Sequence, residues 1–179
     1  MMTLVIGGAA SGKSEFAEEL VLQAGNKPRY YIATMQPFDD ECRARIRRHR
    51  EMRAQKQFET VECFVHLEQV TLPQKSVVLL ECMSNLVANE LYIPEGAGDN
   101  AVESIRRGIL GLRSQCEDLI IVSNEVFSGG CEYEGDTLRY MRVLAEVNRM
   151  LASQADEVYE VVCGVPVCHK GKGRENDPV

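Results

Sequence analysis

Along this chain, short unbroken apolar runs alternate with stretches in which apolar residues recur every three or four positions. The runs at residues 3–6, 29–33, 59–62, 76–80, 119–123 and 157–163 are mostly rich in aliphatic and β-branched side chains and predict strands. Val77-Val78-Leu79-Leu80 and Leu119-Ile120-Ile121-Val122 offer no polar face, the pattern of parallel strands covered by helices on both sides. The periodic stretches predict the covering helices. Phe16, Ala17, Leu20, Val21 and Ala24 make one face of the first, and Leu138, Met141, Leu144, Ala145, Asn148, Leu151 and Ala152 make a face of the last. The pattern predicts a three-layer α/β fold with a mostly parallel sheet.

Polar breaks complete the outline. Residues 94–100, PEGAGDN, predict a loop, and Pro73 marks a turn. His169 opens a stretch, KGKGRENDPV, without apolar periodicity, which predicts a frayed end and a disordered tail over residues 171–179. Residues 1–170 remain as one domain: 179 residues at 45% hydrophobic suffice for one core and leave little for a second.

Charge narrows the function. A formal net charge of −7 argues against a nucleic-acid or anionic-membrane binder, so an anionic ligand must be held by local basic groups. No apolar run is long enough to span a bilayer, and no leader precedes the first strand. Seven cysteines, an odd number without a C-x-x-C pair, suggest neither a disulfide framework nor a zinc site; a reducing cytoplasm is expected.

The strongest chemical signal follows the first strand, in VIGGAASGKSEF. Gly7-x-x-x-x-Gly12-Lys13-Ser14 is the Walker A spacing, placed between a predicted strand and a predicted helix as that motif requires. Its glycines let main-chain N–H groups wrap phosphate oxygens, Lys13 neutralises the β- and γ-phosphates, and Ser14 can ligate Mg²⁺. VVLLEC ends a buried strand in Glu81, where P-loop proteins usually place an Asp that holds Mg²⁺ or its waters. An ordinary exposed strand end would carry the same acid.

A second signal is basic. CRARIRRHREMR, residues 42–53, carries six arginines, and the i, i+4 spacing sets Arg45, His49 and Arg53 on one helical face. A solvated basic helix would have this composition too. The sharper alternative is a histidine nucleophile attacking a nucleotide α-phosphate, kept neutral by the neighbouring cations while guanidiniums stabilise the phosphoryl oxygens. His66, predicted on a partly exposed helix, and His169 lack such surroundings.

GGAASGKS, YYIATM, RIRRHREMR, LLEC, VSNEV and VNRMLASQADEVYEVVCGVPV, in this order and spacing, resemble the bifunctional adenosylcobinamide kinase/adenosylcobinamide-phosphate guanylyltransferase family, almost up to Lys170. The resemblance implies a RecA-like P-loop fold. It implies two reactions of adenosylcobalamin biosynthesis: phosphorylation of adenosylcobinamide by a nucleoside triphosphate, and GMP transfer from GTP to the new phosphate through a guanylylated histidine, here His49. Lys13 joins His49 as a catalytic residue. Nucleotide contacts fall on Gly7, Gly8, Ala9, Ala10, Ser11, Gly12, Lys13 and Ser14, on Ala33, Thr34 and Met35, on Arg50, Glu51, Met52 and Arg53, and on Glu62 and Glu81. Ser14 and Glu81 would hold Mg²⁺; ATP and GTP are substrates, a corrinoid is the acceptor, and a homo-oligomer, a trimer, is implied. The chain departs from the family pattern at Phe127 and Glu146, where glycines are usual, and at Ala54, where proline is. A P-loop small-molecule kinase without a covalent histidine and a nucleotide-binding regulatory module are the other readings these residues allow.

Overall fold

The computed structural model describes residues 1–37, 40, 43, 44, 46, 47, 51, 56–72, 75–126 and 134–172. The strands are β1 (Met2–Gly7), β2 (Arg29–Ala33), β3 (Phe58–Glu62), β4 (Val77–Leu80), β5 (Asp118–Asn124), β6 (Glu157–Val162) and β7 (Val165–Lys170). They form one seven-stranded sheet in the order β3-β2-β4-β5-β1-β6-β7. Every pairing is parallel except β6 with β7, an antiparallel hairpin irregular at Val158/Tyr159. The P-loop strand β1 is thus separated from β4 by β5.

Two apolar layers sandwich the sheet because successive strand side chains point to opposite faces. On one face Val5, Tyr31, Val77, Leu79, Ile120 and Val122 pack on Ala17, Leu20 and Val21 of α1 (Lys13–Gln23). On the other, Leu4, Ile32, Val78, Leu80, Leu119 and Ile121 pack with α2 (Met83–Tyr92), α3 (Ala101–Gln115) and α4 (Gly135–Gln154). Gly108 lets α3 close onto the 3₁₀ turn Leu67–Gln69: a Cβ there would lie 2.6 Å from the Leu67 Cβ.

Six predicted strands are present, each within two residues of its expected ends. Three features differ from expectation. β7 was not predicted, and His169 lies within it, 2.9 Å from Glu160, instead of opening a frayed end; residues 173–179 of the predicted tail lie outside the described residues. His66 is not helical but left-handed (φ 55°), heading the 3₁₀ turn. On α4 the fully buried positions are Leu144, Val147 and Leu151, so Val147 takes the core place given to Asn148. The predicted loop 94–100 contains a second 3₁₀ turn, Gly98–Asn100.

Candidate active site

The P-loop is built by backbone demands only small residues meet. At Gly7 a Cβ would sit 2.6 Å from Ser11 Oγ and 2.7 Å from the Val161 carbonyl oxygen, so a side chain is excluded. Ala10 (φ 55°) and Gly12 (φ 90°) are both left-handed, bending the chain back over itself. The turn is closed by Ser11 N–H donating to Gly8 O at 3.3 Å. Gly164, in the β6–β7 turn, supports it from outside by donating its N–H to Ser11 O at 2.8 Å.

Helix α1 then starts without a side-chain cap, because its N-cap is Gly12. Its first N–H groups and the positive end of its dipole are directed at the loop, an anion-binding arrangement. Lys13 Nζ donates to Gly8 O at 3.0 Å, which holds the ammonium over the loop. Burial lowers the Lys13 pKa, with the Cys82 sulfur and Glu15 acting in the opposite sense. Ser14 is exposed in the first helical turn.

Two to four strands from β1, at the ends of β4, β2 and β3, lies a cavity of about 290 Å³. Ala33, Met35 and Pro37 line it from the end of β2, Glu62 and Phe64 from the end of β3, and Glu81 from the end of β4. Arg43, Ile46 and Arg47, all helical, line the remaining side. The cavity is therefore polarised, with two carboxylates at the sheet edge and two guanidiniums from the basic segment. Arg43 Nε also pairs with Asp40 at 3.3 Å.

Thr34 organises the sheet edge without lining the cavity. Its N–H donates to Glu81 Oε2 (3.1 Å), its hydroxyl to Cys82 O (2.9 Å), and its carbonyl accepts from Asn89 Nδ2 (2.9 Å). Fully buried, it aims its neighbours Ala33 and Met35 and orients Glu81.

The structure thus gathers Ala33, Met35, Glu62 and Glu81 around one cavity and keeps Gly7 to Ser14 as a separate loop on the same edge of the sheet. Glu51 is exposed and helical. His49, Arg50, Met52 and Arg53 lie outside the described residues, as do Arg45, Ala54 and Phe127. Glu146 is exposed on α4.

Sequence reasoning missed two polar clusters. In one, Ser84, Ser123, Asn124 and Asn148 are hydrogen-bonded beside the P-loop; VSNEV and VNRM, already distinctive as motifs, were its signal. In the other, His66, Glu68 and Glu90 bring ligand-type atoms within 4.8 Å of one another. Buried Glu90 accepts the N–H groups of His66 (2.6 Å) and Ala97 (2.8 Å), while the His66 Nε2 lies 2.6 Å from Glu95 O. These bonds make the cluster a clasp between loops.

The family described as cobinamide kinase / cobinamide phosphate guanyltransferase matches residues 3–168. The bifunctional adenosylcobalamin biosynthesis protein CobU of Salmonella typhimurium is 37% identical over 183 residues, covering 93% of this chain and 98% of that protein. CobU of Escherichia coli is 38% identical over 182 residues, with coverages of 93% and 98%. CobP of Pseudomonas aeruginosa, of the same description, is 28% identical over 176 residues, with coverages of 96% and 99%. Among solved structures, a KaiC-like protein of Pyrococcus horikoshii superposes with a TM-score of 0.48 at 11% identity, covering 89% of this chain and 69% of that one. The RadB recombinase does so with 0.47 at 14% identity, covering 99% and 84%. With a match spanning nearly all of its length, the chain belongs to the cobinamide kinase / cobinamide phosphate guanyltransferase family.

Proposed function

We propose that this protein phosphorylates adenosylcobinamide with ATP or GTP and then transfers GMP from GTP to the resulting phosphate through His49. The observation that carries this reading is the pairing, on one edge of one sheet, of a P-loop with a separate cavity bearing carboxylates and guanidiniums. The first handles a triphosphate; the second suits a base and its sugar phosphate.

For the kinase step, the P-loop N–H groups and the α1 N-terminus hold the β- and γ-phosphates while Lys13 neutralises them. Mg²⁺, when bound, would offset the negative charge of the phosphates. The exposed Ser14 hydroxyl is a hard oxygen donor suited to that ion. Glu81, oriented by Thr34 N–H at the end of β4, is the carboxylate that would hold it with Ser14.

For the guanylyl step, Glu62 and Glu81 accept the guanine N1–H and N2–H₂, an edge adenine lacks. Neutral His49 attacks the α-phosphorus of GTP and pyrophosphate leaves. A phosphate oxygen of the acceptor then displaces the imidazole, splitting one hard displacement into two. Arg43 and Arg47 supply positive charge along the same cavity.

We place the enzyme in the cytoplasm as a homotrimer. The described cysteines are free, and no described helix is long and apolar enough to cross a membrane.

The test is to incubate the protein with α-labelled GTP and Mg²⁺, denature it, and follow label on the chain. A phosphoramidate survives alkali and is lost in acid. Label should appear with that signature and be missing from His49→Ala and His49→Asn, which should still phosphorylate adenosylcobinamide. An unlabelled wild-type chain under conditions of product formation, or full GMP transfer by both variants, refutes the histidine route.

A further inference from the structure

Strand β5 lies between the P-loop strand and β4, and its last residue is Asn124. In register Asn124 stands beside Gly7, the first residue of the P-loop, and the next N–H, that of Glu125, donates to Gly7 O at 3.0 Å. The Asn124 main chain is fixed from two directions. Its N–H donates to Oγ of buried Ser84 at 3.1 Å, and its carbonyl accepts from Asn148 Nδ2 at 3.3 Å. Asn148 is oriented in turn, because its Oδ1 accepts the hydroxyl of fully buried Ser123 at 2.7 Å.

This network engages the backbone of Asn124 and leaves its carboxamide nearly uncommitted. Nδ2 has only a long contact, 3.9 Å, with the Cys82 sulfur. Among the described residues none donates a hydrogen bond to Oδ1. Lys13 Nζ is held on Gly8 O at 3.0 Å, one residue beyond the Gly7 that stands beside Asn124, so ammonium and carboxamide both belong to the lip of the P-loop. A half-buried carboxamide held this firmly, with hydrogen-bonding capacity in reserve, contributes little to packing: a polar group without strong partners is costly there. A phosphoryl oxygen carried by the P-loop supplies the missing partner.

We propose that the Asn124 carboxamide contacts the γ-phosphoryl group of the nucleotide in the P-loop and is a catalytic residue of the kinase step, with Ser84 and Asn148 as its positioning residues. This rests on the kinase half of the proposed function. In that step the acceptor hydroxyl oxygen bonds to the γ-phosphorus as the bond to the β,γ-bridging oxygen breaks. That electron pair leaves with the nucleoside diphosphate, and the hydroxyl proton passes to water. Nδ2–H exchanges its weak sulfur contact for a γ-phosphoryl oxygen, where negative charge is concentrated. GMP transfer takes place at the α-phosphorus and does not use this contact.

Two variants and three readouts test it. With adenosylcobinamide and ATP, Asn124→Ala should lower kcat about 100-fold, as loss of a transition-state donor does. Asn124→Asp, of equal size but without the donor and with an added charge, should lose at least as much. Without any acceptor, both should bind ADP as the wild type does but bind a non-hydrolysable ATP analogue more weakly, because only the analogue has a γ-phosphate. At saturating α-labelled GTP, labelling should be retained, because the step at the α-phosphorus does not use the contact. Near-wild-type kcat in both variants overturns the proposal, as does an equal loss of ADP and ATP-analogue binding, which would mark a structural role. If Asn124→Ala does not fold, the near-isosteric Asn124→Asp decides. Wild-type protein that binds nucleotide yet phosphorylates no cobinamide overturns the function itself, and the γ-phosphate discrimination is measured independently of it.

Discussion

The main-chain N–H of Thr34 donates to Glu81 Oε2 across 3.1 Å, tying the end of β2 to the end of β4 at the floor of the cavity. The carboxylate thus has a structural duty and also lines the cavity. The two duties separate by substitution. Glu81→Gln keeps an oxygen for Thr34 and should keep the melting temperature, while weakening GTP binding about 10- to 100-fold through loss of a charged acceptor. Glu81→Ala should lose the same affinity and also about 1–3 kcal/mol of stability, because it orphans a buried N–H. Calorimetry of binding and of unfolding on both variants gives the comparison; unaltered GTP affinity in Glu81→Gln would remove Glu81 from the nucleotide site.

Lys13 carries a cost that its ligand relieves. Its pKa lies below the ordinary 10.5 because burial disfavours the ammonium. Below the folded-state value both folded and unfolded chains are protonated, and the full burial penalty destabilises the ligand-free protein. Between that value and 10.5 the unfolded chain binds more protons, so wild-type stability gains with rising pH until the penalty vanishes. Lys13→Met should therefore melt higher than wild type at pH 7 without ligand, by a margin that shrinks towards pH 10, and should bind no nucleotide. Thermal melts across that range are the check, and a lower melting temperature for Lys13→Met at pH 7 contradicts it.

Glu90 has no exposed surface and accepts bonds from His66 N–H, Ala97 N–H and the Ser104 hydroxyl. Glu90→Gln replaces one acceptor oxygen by an N–H₂ group facing a donor. It should cost about 1–3 kcal/mol, read as a lower urea midpoint with an unchanged slope. Nucleotide affinity should be retained, since the clasp is separate from the P-loop.

Burial pushes the thiols of Cys63 and Cys116 up to about 11, and it also raises that of Cys82. Only the thiolate alkylates. In native protein at pH 8, iodoacetamide should leave these three unmodified, whereas Cys163, exposed on the β6–β7 turn, should react first among the described cysteines. Peptide mass mapping over time orders them; early modification of Cys63 or Cys116 would show that the core opens readily.

What could be read from the sequence was whatever depends on neighbours along the chain. Val77–Leu80 and Leu119 to Val122 are apolar on both faces and could only be central strands. The P-loop was legible because its sharp turns need small residues at fixed spacing. Strand β7 was hidden: Val165 and Val167 are exposed and Pro166 interrupts them, as an edge strand permits. Helix α2 is buried on most sides, so its periodicity is faint. Asn148 falls at core spacing, and spacing cannot distinguish a packed side chain from one bonded to Ser123. The cavity was only half legible. The expected face of Arg45, His49 and Arg53 lies outside the described residues; Arg43, Ile46 and Arg47 of the same segment line the cavity, and the acids opposite meet them through strand order, which neighbours along the chain do not reveal.

The bond from Gly164 N–H to Ser11 O joins residues 153 positions apart along the chain. At about 5–20 residues per second, Gly164 is made roughly 8–30 s after Ser11. A nascent chain that has Ser11 but not yet Gly164 thus displays the phosphate-binding sequence but lacks both the hairpin that braces it and the strand β6 that flanks β1. The brace on the phosphate-binding loop is in consequence a late property of biosynthesis, and a chain shortened before Gly164 should hold nucleotide more weakly than the full chain.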